Sequence, residues 1–184
     1  MVLTKTPICN FGEKANSFEL KGTDNKIHKL DELVGRKGTL VMFICNHCPY
    51  VKAVIKEIVK DCKSLEEEGV NSIAIMSNDT KDYPEDSFEN MVSFKKEHGF
   101  KFPYLIDETQ NIAKKYGAVC TPDFFGYNDK LELQYRGRIR ELKNLKPVGN
   151  LESDLVQAMR QIIKTGEGPK KQIPSMGCNI KWIK

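Results

Sequence analysis

A continuous apolar segment leads directly into a closely spaced pair of cysteines in Thr39-Leu40-Val41-Met42-Phe43-Ile44-Cys45-Asn46-His47-Cys48-Pro49-Tyr50-Val51. The part from Thr39 to Ile44 has the length and composition of a buried central strand. From Cys48 onwards, apolar residues recur at steps of three and four, which indicates an amphipathic helix that ends near Gly69. The segment therefore predicts a strand, a short connection that holds both cysteines, and a helix.

The remaining sequence alternates strand and helix patterns. The predicted elements are an opening hairpin over 18–30, strands over 71–76 and 102–106, helices over 87–98 and 112–116, a second hairpin over 124–135 and a closing helix over 151–164. This order predicts an α/β fold with a mixed central sheet flanked by helices and with an N-terminal hairpin extension. The 184 residues are expected to form one domain over 1–184, with an N-terminal arm over 1–17 and a C-terminal tail over 166–184.

The charge and hydropathy of the chain exclude several classes of partner. The 29 basic and 25 acidic residues give a net charge of +4, and Lys and Glu are interspersed rather than gathered in one stripe. The longest apolar stretch, from Leu40 to Cys45, is far shorter than the ~20 residues that span a bilayer. The N terminus carries no apolar segment long enough for a secretory signal. We therefore expect a cytoplasmic protein that binds neither nucleic acid nor membrane.

The cysteine pair at the start of the predicted helix suits redox chemistry. Two cysteines at this spacing can bring their sulfurs into disulfide range. The helix N-terminus offers unpaired N–H groups and a partial positive charge, which favour a thiolate over a thiol. When protonated, His47 between the two cysteines would stabilise that thiolate further. The arrangement of Cys45, His47 and Cys48 therefore predicts reversible thiol–disulfide exchange.

A second motif lies before the second hairpin, in Tyr116-Gly117-Ala118-Val119-Cys120-Thr121-Pro122. A strand that ends in Cys-x-x-Cys at a helix start, followed later by Thr-Pro before a hairpin, resembles the thioredoxin fold. The opening hairpin with Phe18-Glu19-Leu20, the turn Gly35-Arg36-Lys37-Gly38 and the segment Phe43-Ile44-Cys45-Asn46-His47-Cys48-Pro49-Tyr50-Val51 resemble more closely the peroxiredoxin-like AhpC/TSA branch of that superfamily. Within it, the ending Gly177-Cys178-Asn179-Ile180-Lys181-Trp182 is similar to that of an uncharacterised peroxiredoxin-like group with a Cys-Asn-His-Cys-Pro motif.

The resemblance implies a role for each matched position. Cys45 would be the exposed attacking thiol, and Cys48 the more buried partner that resolves mixed disulfides. Pro122 would be cis, and Thr121 would present its backbone to an extended substrate beside Cys45. His47 occupies the position held by a histidine in strongly oxidising, disulfide-forming relatives.

Two departures from the family pattern leave the order of attack and the peroxidase function open. Pro49 follows the pair, and proline is common at the first position of a helix. A helix that begins at Pro49 would have Cys48, rather than Cys45, as its N-cap residue. Peroxiredoxins carry Pro-x-x-x-Thr-x-x-Cys at the reactive cysteine. Counting back from Cys48 places Cys45 and Val41 at the threonine and proline positions, and counting back from Cys45 fits no better. A dedicated peroxidase is therefore disfavoured, and only weak peroxide reduction is expected.

Four further cysteines lie outside this pair. Cys120 precedes Pro122 and Cys178 lies in the glycine-flanked tail, and both are candidate resolving thiols. Cys62 falls on the apolar side of the predicted helix and is expected in the core. Cys9 lies near a terminus that is expected to be mobile, and no task is assigned to it.

These patterns predict a thiol-disulfide oxidoreductase of thioredoxin-like fold without an organic cofactor. Its partners would be disulfide-bearing proteins or small thiols, together with a thiol reductant or oxidant that recycles the pair. An alternative is a copper or zinc carrier that uses Cys45, His47 and Cys48 with a third sulfur from Cys120 or Cys178, since soft thiolates select those ions. A third alternative is a non-catalytic relative that binds partner proteins through the groove beside the cysteine pair.

Overall fold

A seven-stranded mixed sheet forms the centre of the protein, in a computed structural model that describes residues 3–149 and 151–184. From one edge to the other, its strands are β3 (Ile27–Lys29), β2 (Glu19–Gly22), β6 (Tyr104–Ile106), β5 (Val70–Met76), β4 (Gly38–Phe43), β8 (Asp123–Asn128) and β9 (Leu133–Tyr135). Strand β4 pairs parallel with β5 and antiparallel with β8. The predicted mixed sheet is confirmed, with the segment before the cysteines as a central strand.

Helices cover both faces of this sheet. They are α1 (Leu30–Leu33), α2 (Pro49–Glu67), α3 (Phe88–His98), α4 (Asn111–Tyr116) and α5 (Asp154–Thr165). Leu40 and Met42 of β4 belong to the core under α2, α3 and α5, whereas Val41 and Phe43 belong to the core under α1 and α4. Because successive side chains of a strand point to opposite faces, a strand buried on both sides reads as a continuous apolar run. Among the described residues, no helix has the length and apolar character needed to cross a membrane.

Helix α2 confirms the predicted amphipathic helix and begins immediately after the cysteine pair. Cys48 is its N-cap residue and Pro49 its first helical residue. Proline suits this position because its fixed φ is already helical and its missing N–H would have no partner there. The helix ends at Glu67, and Gly69 follows with a φ of +93°, a conformation that favours glycine.

Two short strands near the chain ends form a second, three-stranded sheet together with β7, beside the cysteine pair. Strand β12 (Met176–Asn179) lies between β1 (Leu3–Lys5) and β7 (Cys120–Thr121), and both pairings are antiparallel. A small hairpin of β10 (Leu142–Lys143) and β11 (Lys146–Pro147) precedes α5. None of these strands except β7 lies near an element that the sequence patterns predict.

Candidate active site

Both cysteines of the pair are buried at the junction of β4 and α2. The side chains of Cys45 and Cys48 are 1% and 0% exposed. The expectation that Cys45 is an exposed thiol is therefore wrong. The second sheet buries the two sulfurs, because Thr121 of β7 contacts the Cys45 sulfur and Cys178 of β12 contacts the Cys48 sulfur.

Thr121 touches both sulfurs of the pair. Its Oγ1 lies 3.4 Å from Cys45 Sγ, and its carbonyl oxygen lies 3.1 Å from Cys48 Sγ, from which it accepts a hydrogen bond when Cys48 is a thiol. The Thr121–Pro122 peptide bond is cis, as the resemblance implies. The Thr121 backbone does not present an open strand edge, however, because it pairs with Cys178 of the same chain.

Cys178 is the third thiol of the site. Its sulfur lies 3.1 Å from Cys48 Sγ, and its side chain is 2% exposed. The other candidate resolving residue, Cys120, is also buried, but its sulfur donates weakly to the Pro122 carbonyl oxygen at 3.7 Å. Of the two candidates, the fold therefore brings Cys178 into contact with the pair.

The remaining two cysteines lie in the core. Cys62 is buried on the inner face of α2, as expected, and burial raises its pKa to about 12. Cys9 is also buried, so the expectation of a mobile terminus at this residue is wrong. Burial raises the pKa of the Cys9 thiol to about 11. Both thiols are thus unreactive by the ordinary criterion of thiolate character.

The three clustered thiols share their hydrogen bonds unequally. The Cys45 thiol donates to the Cys48 sulfur, and this contact, helped by the Cys178 thiol and opposed by burial, lowers the pKa of Cys48 below its ordinary value. Burial, together with donation to Cys48, raises the pKa of Cys45 and of Cys178. The negative charge of the cluster therefore rests on Cys48, the residue that also caps α2.

A buried carboxylate that the sequence patterns did not identify holds the connection between the two cysteines. Asp86 lies in a single 3-10 turn (Pro84–Asp86) and is 0% exposed. Its Oδ1 accepts the backbone N–H of Asn46 at 2.8 Å and of His47 at 3.3 Å. Its Oδ2 accepts from His47 Nδ1 at 2.7 Å and from Asn78 Nδ2 at 2.8 Å. Although burial alone would raise it, these hydrogen bonds hold the pKa of Asp86 below its ordinary value.

His47 lies against this carboxylate and beside the cysteine pair. Its hydrogen bond to Asp86 raises the pKa of the imidazole, and burial opposes that rise only in part. The ring stacks on Tyr83, with centroids 5.7 Å apart and planes 9° apart. Asn46, next in the connection, accepts a hydrogen bond from the Tyr104 hydroxyl at 2.9 Å. The connection is thus fixed by side chains from two neighbouring segments, the loop after β5 and strand β6.

A cavity of about 220 Å³ lies beside the cis proline. Most of its lining is apolar: Tyr50, Val54, Pro122, Ile139, Leu142, Ile173, Pro174 and Met176 contribute to it. Two arginines also line it, but Arg138 pairs with Asp154 at 2.7 Å and Arg140 pairs with Glu57 at 2.5 Å. The cavity therefore offers an apolar surface next to residues that contact the thiols.

The sequence and the fold both resemble those of known proteins. Residues 11–142 match the AhpC/TSA family. The chain belongs to the AhpC/TSA family. This membership confirms the resemblance to the peroxiredoxin-like branch of the thioredoxin superfamily. No protein of curated function matches the chain.

Two solved structures resemble this AhpC/TSA protein along nearly its whole length. An uncharacterized conserved protein from Geobacillus kaustophilus is 38% identical, with a TM-score of 0.91, and the match covers 100% of this chain and 97% of that protein. A hypothetical protein from Sinorhizobium meliloti is 34% identical, with a TM-score of 0.89, and the match covers 97% of each chain. Their similarity extends beyond residue 142, where the family match ends, and thus includes the region of β12.

A more distant structure shares the fold alone. A thiol:disulfide interchange protein from Chlorobium tepidum is 17% identical, with a TM-score of 0.62, and the match covers 83% of this chain and 97% of that protein. The fold is therefore thioredoxin-like, as predicted. With the family and the thiol cluster, it assigns this AhpC/TSA protein to the broad class of thiol redox proteins.

Proposed function

We propose that the protein is a thiol-disulfide oxidoreductase that exchanges disulfides through Cys45 and Cys48. The observation that carries the proposal is the position of the Cys48 sulfur, at the N-terminus of α2 and 3.1 Å from the Cys178 sulfur. Thiolates are the attacking species in disulfide exchange, and both a helix N-terminus and a neighbouring donor stabilise a thiolate. Cys48 is therefore the first nucleophile in this proposal, in place of Cys45.

The proposed reaction has two balanced steps. The Cys48 thiolate attacks one sulfur of a substrate disulfide, so that a mixed disulfide forms and the other substrate sulfur leaves as a thiolate. Cys45 then loses its proton and attacks Cys48 Sγ, so that the Cys45–Cys48 disulfide forms and the second substrate thiol leaves. Two electrons pass from the pair to the substrate. The reverse sequence donates a disulfide to a dithiol.

His47 and Asp86 set the balance between the two directions. The hydrogen bond to Asp86 favours the protonated imidazole, whose positive charge stabilises the nearby thiolate of the reduced state. Stabilising the reduced state makes the corresponding disulfide more oxidising. The pair is thus proposed to be more oxidising than the same pair beside a neutral residue.

The proposed partners are disulfide-bearing proteins or small thiols, with a separate thiol reductant or oxidant that recycles the pair. The apolar cavity beside Pro122 supports this choice, since it offers a surface for the apolar part of a substrate next to Thr121. Its two arginines already pair with carboxylates, and Lys5 adds a third basic group to the lining.

A redox titration of the purified protein in glutathione buffers tests the proposal. Alkylation of the remaining thiols and peptide mapping would identify which cysteines pair at each potential. We expect a reversible Cys45–Cys48 disulfide that is absent from the Cys45→Ser and Cys48→Ser variants. Cys62→Ala, which changes a buried thiol outside the site, is the matched control and is expected to titrate as the wild type does. A pair that never closes would overturn the proposal.

Slow peroxide reduction is a proposed side activity of the same thiolate. Attack of the Cys48 thiolate on hydrogen peroxide gives a sulfenic acid and hydroxide, and a neighbouring thiol then condenses with the sulfenic acid to give a disulfide and water. Peroxide consumption in the presence of a thiol reductant would measure it. We expect slow turnover that Cys48→Ser abolishes. Turnover unchanged in that variant would contradict this activity.

Metal binding is the second candidate function, because Cys45, His47 and Asp86 offer ligand atoms that all lie within 4.8 Å of one another. This trio would suit zinc, and the added sulfurs of Cys48 and Cys178 would suit copper(I). Against it, the Asp86 oxygens already accept four hydrogen bonds, so binding would break part of that network. Metal analysis of protein purified without chelators would test it, and stoichiometric copper or zinc would favour a carrier.

A further inference from the structure

Strand β12 occupies the strand edge at which an extended substrate would bind. Cys178 lies opposite Thr121 and Asn179 lies opposite Cys120 in an antiparallel pairing. A peptide that binds at a strand edge adds as a further strand, with backbone hydrogen bonds for affinity and alternate side chains for specificity. Strand β12 makes this type of contact from within the same chain. It places Cys178 opposite Thr121, the residue that precedes the cis proline.

The fit of β12 at this edge is close. A Cβ atom on Gly177 would lie 2.0 Å from the Thr121 carbonyl oxygen, so the backbone approaches to a distance that only glycine permits. Ser175 Oγ donates to the Pro122 carbonyl oxygen at 2.8 Å. On its other side, β12 pairs with β1 along Leu3–Lys5. Hydrogen bonds thus hold β12 along both of its edges and at Ser175, the residue just before it.

The chain beyond β12 is joined to the network that holds the cysteine connection. The Lys181 backbone N–H donates to Asn78 Oδ1 at 2.9 Å, and Asn78 Nδ2 donates to Asp86. The Lys181 carbonyl oxygen accepts from the Asp79 backbone N–H at 2.8 Å. The segment that carries Cys178 is therefore held relative to the same carboxylate that positions the pair.

These contacts put the Cys178 sulfur where a substrate sulfur would have to lie. It is 3.1 Å from Cys48 Sγ, the atom that carries the negative charge of the cluster. The strand pairing and the close approach of Gly177 both involve Thr121, whose carbonyl oxygen also contacts Cys48 Sγ. Because the groups are already in place, the reaction between them is intramolecular and avoids the entropy of bringing two molecules together.

We propose that Cys178 is a third redox thiol of this protein, held by β12 as an internal substrate, and that the disulfide passes from Cys45–Cys48 to Cys48–Cys178. This inference rests on the proposed exchange function and deepens it. The segment that matches the AhpC/TSA family ends at residue 142 and does not include Cys178.

The transfer balances without an outside reactant. Cys178 Sγ attacks Cys48 Sγ, the bond between Cys48 and Cys178 forms, and the bond between Cys45 and Cys48 breaks. The proton of the Cys178 thiol ends on Cys45, so no electron and no proton is gained or lost. When Cys48 is in a disulfide its negative charge is gone, and this removes one cause of the raised pKa of Cys178. The remaining cause is burial, which Lys181 partly offsets.

A titration with glutathione disulfide tests the transfer in variants that each replace one cysteine. In Cys45→Ser, glutathione attached to Cys48 is expected to be displaced by Cys178, so that peptide mapping finds the Cys48–Cys178 disulfide and no bound glutathione. In Cys178→Ser, only Cys45–Cys48 is expected. Cys62→Ala is the matched control and should give both disulfides, as the wild type does. Circular dichroism of each variant would establish that it folds.

Gly177→Ala provides a second test that keeps all six cysteines. The added methyl group meets the Thr121 backbone, so β12 is expected to shift away from the edge. The yield of Cys48–Cys178 should fall, and alkylation of Cys48 in the native reduced protein should rise, each by about tenfold as local opening becomes more frequent. The Cys45–Cys48 disulfide should still form.

The outcomes separate this inference from the proposed function. If the wild type closes Cys45–Cys48 while Cys45→Ser keeps glutathione on Cys48 and an alkylatable Cys178, the inference is overturned and the exchange function stands. If Cys178→Ser forms no disulfide while the wild type forms Cys48–Cys178 alone, Cys178 is a redox thiol and exchange through Cys45–Cys48 is overturned. Equal yields of Cys48–Cys178 in Gly177→Ala and the wild type would contradict the role of β12.

Discussion

Replacing Asp86 by Asn tests whether one buried carboxylate controls both the stability of the site and the charge of His47. The amide oxygen of Asn can still accept from the backbone N–H groups of Asn46 and His47, because both bind the same oxygen, Oδ1. The new NH₂ group would face the Asn78 side-chain donor, which then loses its acceptor. His47 Nδ1 must become an acceptor, so the imidazole is held neutral.

The magnitude follows from these contacts. A buried donor left without an acceptor costs about 1–3 kcal/mol, so Asp86→Asn should lower the free energy of unfolding by that amount at every pH. The lost His47–Asp86 ion pair adds a pH-dependent part of about 1.4 kcal/mol for each unit by which the pair raises the pKa of His47. The protein should remain folded, because both backbone hydrogen bonds to the connection are kept.

The sign of the pH dependence is fixed by the direction of the two shifts. The pKa of His47 is raised in the folded state, so its contribution is complete below the unfolded value of about 6.5 and is lost as pH rises through the folded value. The pKa of Asp86 is lowered, so its contribution is present above its unfolded value of about 3.9 and is lost on acidification through the folded value. The difference between wild type and variant should therefore be largest near pH 5–6, as an order of magnitude from those two values.

Urea unfolding across this pH range would measure the difference, with NMR titration of the His47 ring as the second readout. Asp82→Asn, which changes a carboxylate of the same loop with a side chain 57% exposed, is the matched control and should have little effect. If Asp86→Asn unfolds with the wild-type free energy at pH 5–6, or if His47 titrates in the variant as it does in the wild type, the account of this network is wrong.

Three further substitutions test separate contacts. Thr121→Val removes a hydroxyl that lowers the pKa of Cys48, so the ultraviolet absorbance of the thiolate should appear at higher pH than in the wild type; an unchanged titration would contradict this. Tyr104→Phe removes the donor to Asn46 Oδ1 and should lower the free energy of unfolding by about 1 kcal/mol, measured in urea, and a stabilised variant would speak against the contact. Burial raises the pKa of Asp61 to about 6, so ionisation of this carboxyl destabilises the fold as pH rises from the unfolded value. Asp61→Asn should therefore be more stable than the wild type at pH 8 by about 1–3 kcal/mol and nearly equal to it at pH 4, and the reverse order would refute the interpretation.

The elements that local patterns predict are those stabilised by one long apolar face or run. Strand β4 and helix α2 are of this kind, since all six residues of β4 are buried and α2 buries one side along its length. The cysteines follow from the same reasoning, because the end of a strand and the start of a helix are fixed by the pattern on either side. Cys48 as the N-cap is likewise readable from Pro49.

The second sheet could not be predicted in this way. Residues 176–179 contain a glycine and an asparagine, which are both rare in strands, and no alternation of apolar and polar residues. They form a strand because β7 and β1 supply hydrogen-bond partners from distant parts of the chain. The Cys45 sulfur is contacted by Thr121 and the Cys48 sulfur by Cys178, so the burial of the pair depends on residues far along the chain that the local sequence does not reveal.

Asp86 was missed for a related reason. The polar loop after β5 holds several carboxylates, and nothing local distinguishes Asp86 from Asp79, Asp82 or Glu85. A signal was present in the topology, however. Strands β4 and β5 are parallel neighbours, so the loops that follow them meet at the same edge of the sheet. A carboxylate after β5 is therefore well placed to accept from the connection after β4.

The position of β12 in the chain also determines when the thiols become protected during synthesis. Cys178 follows Cys48 by 130 residues, and every element of the seven-stranded sheet is made before it. On a ribosome, Cys45 and Cys48 can thus reach their folded positions before β12, which brings Cys178 against Cys48, has emerged. A nascent chain would meet oxidants and thiols without Cys178 against the Cys48 sulfur, and only the finished chain would make that contact. Oxidation before release and oxidation after release are then different reactions of the same two sulfurs.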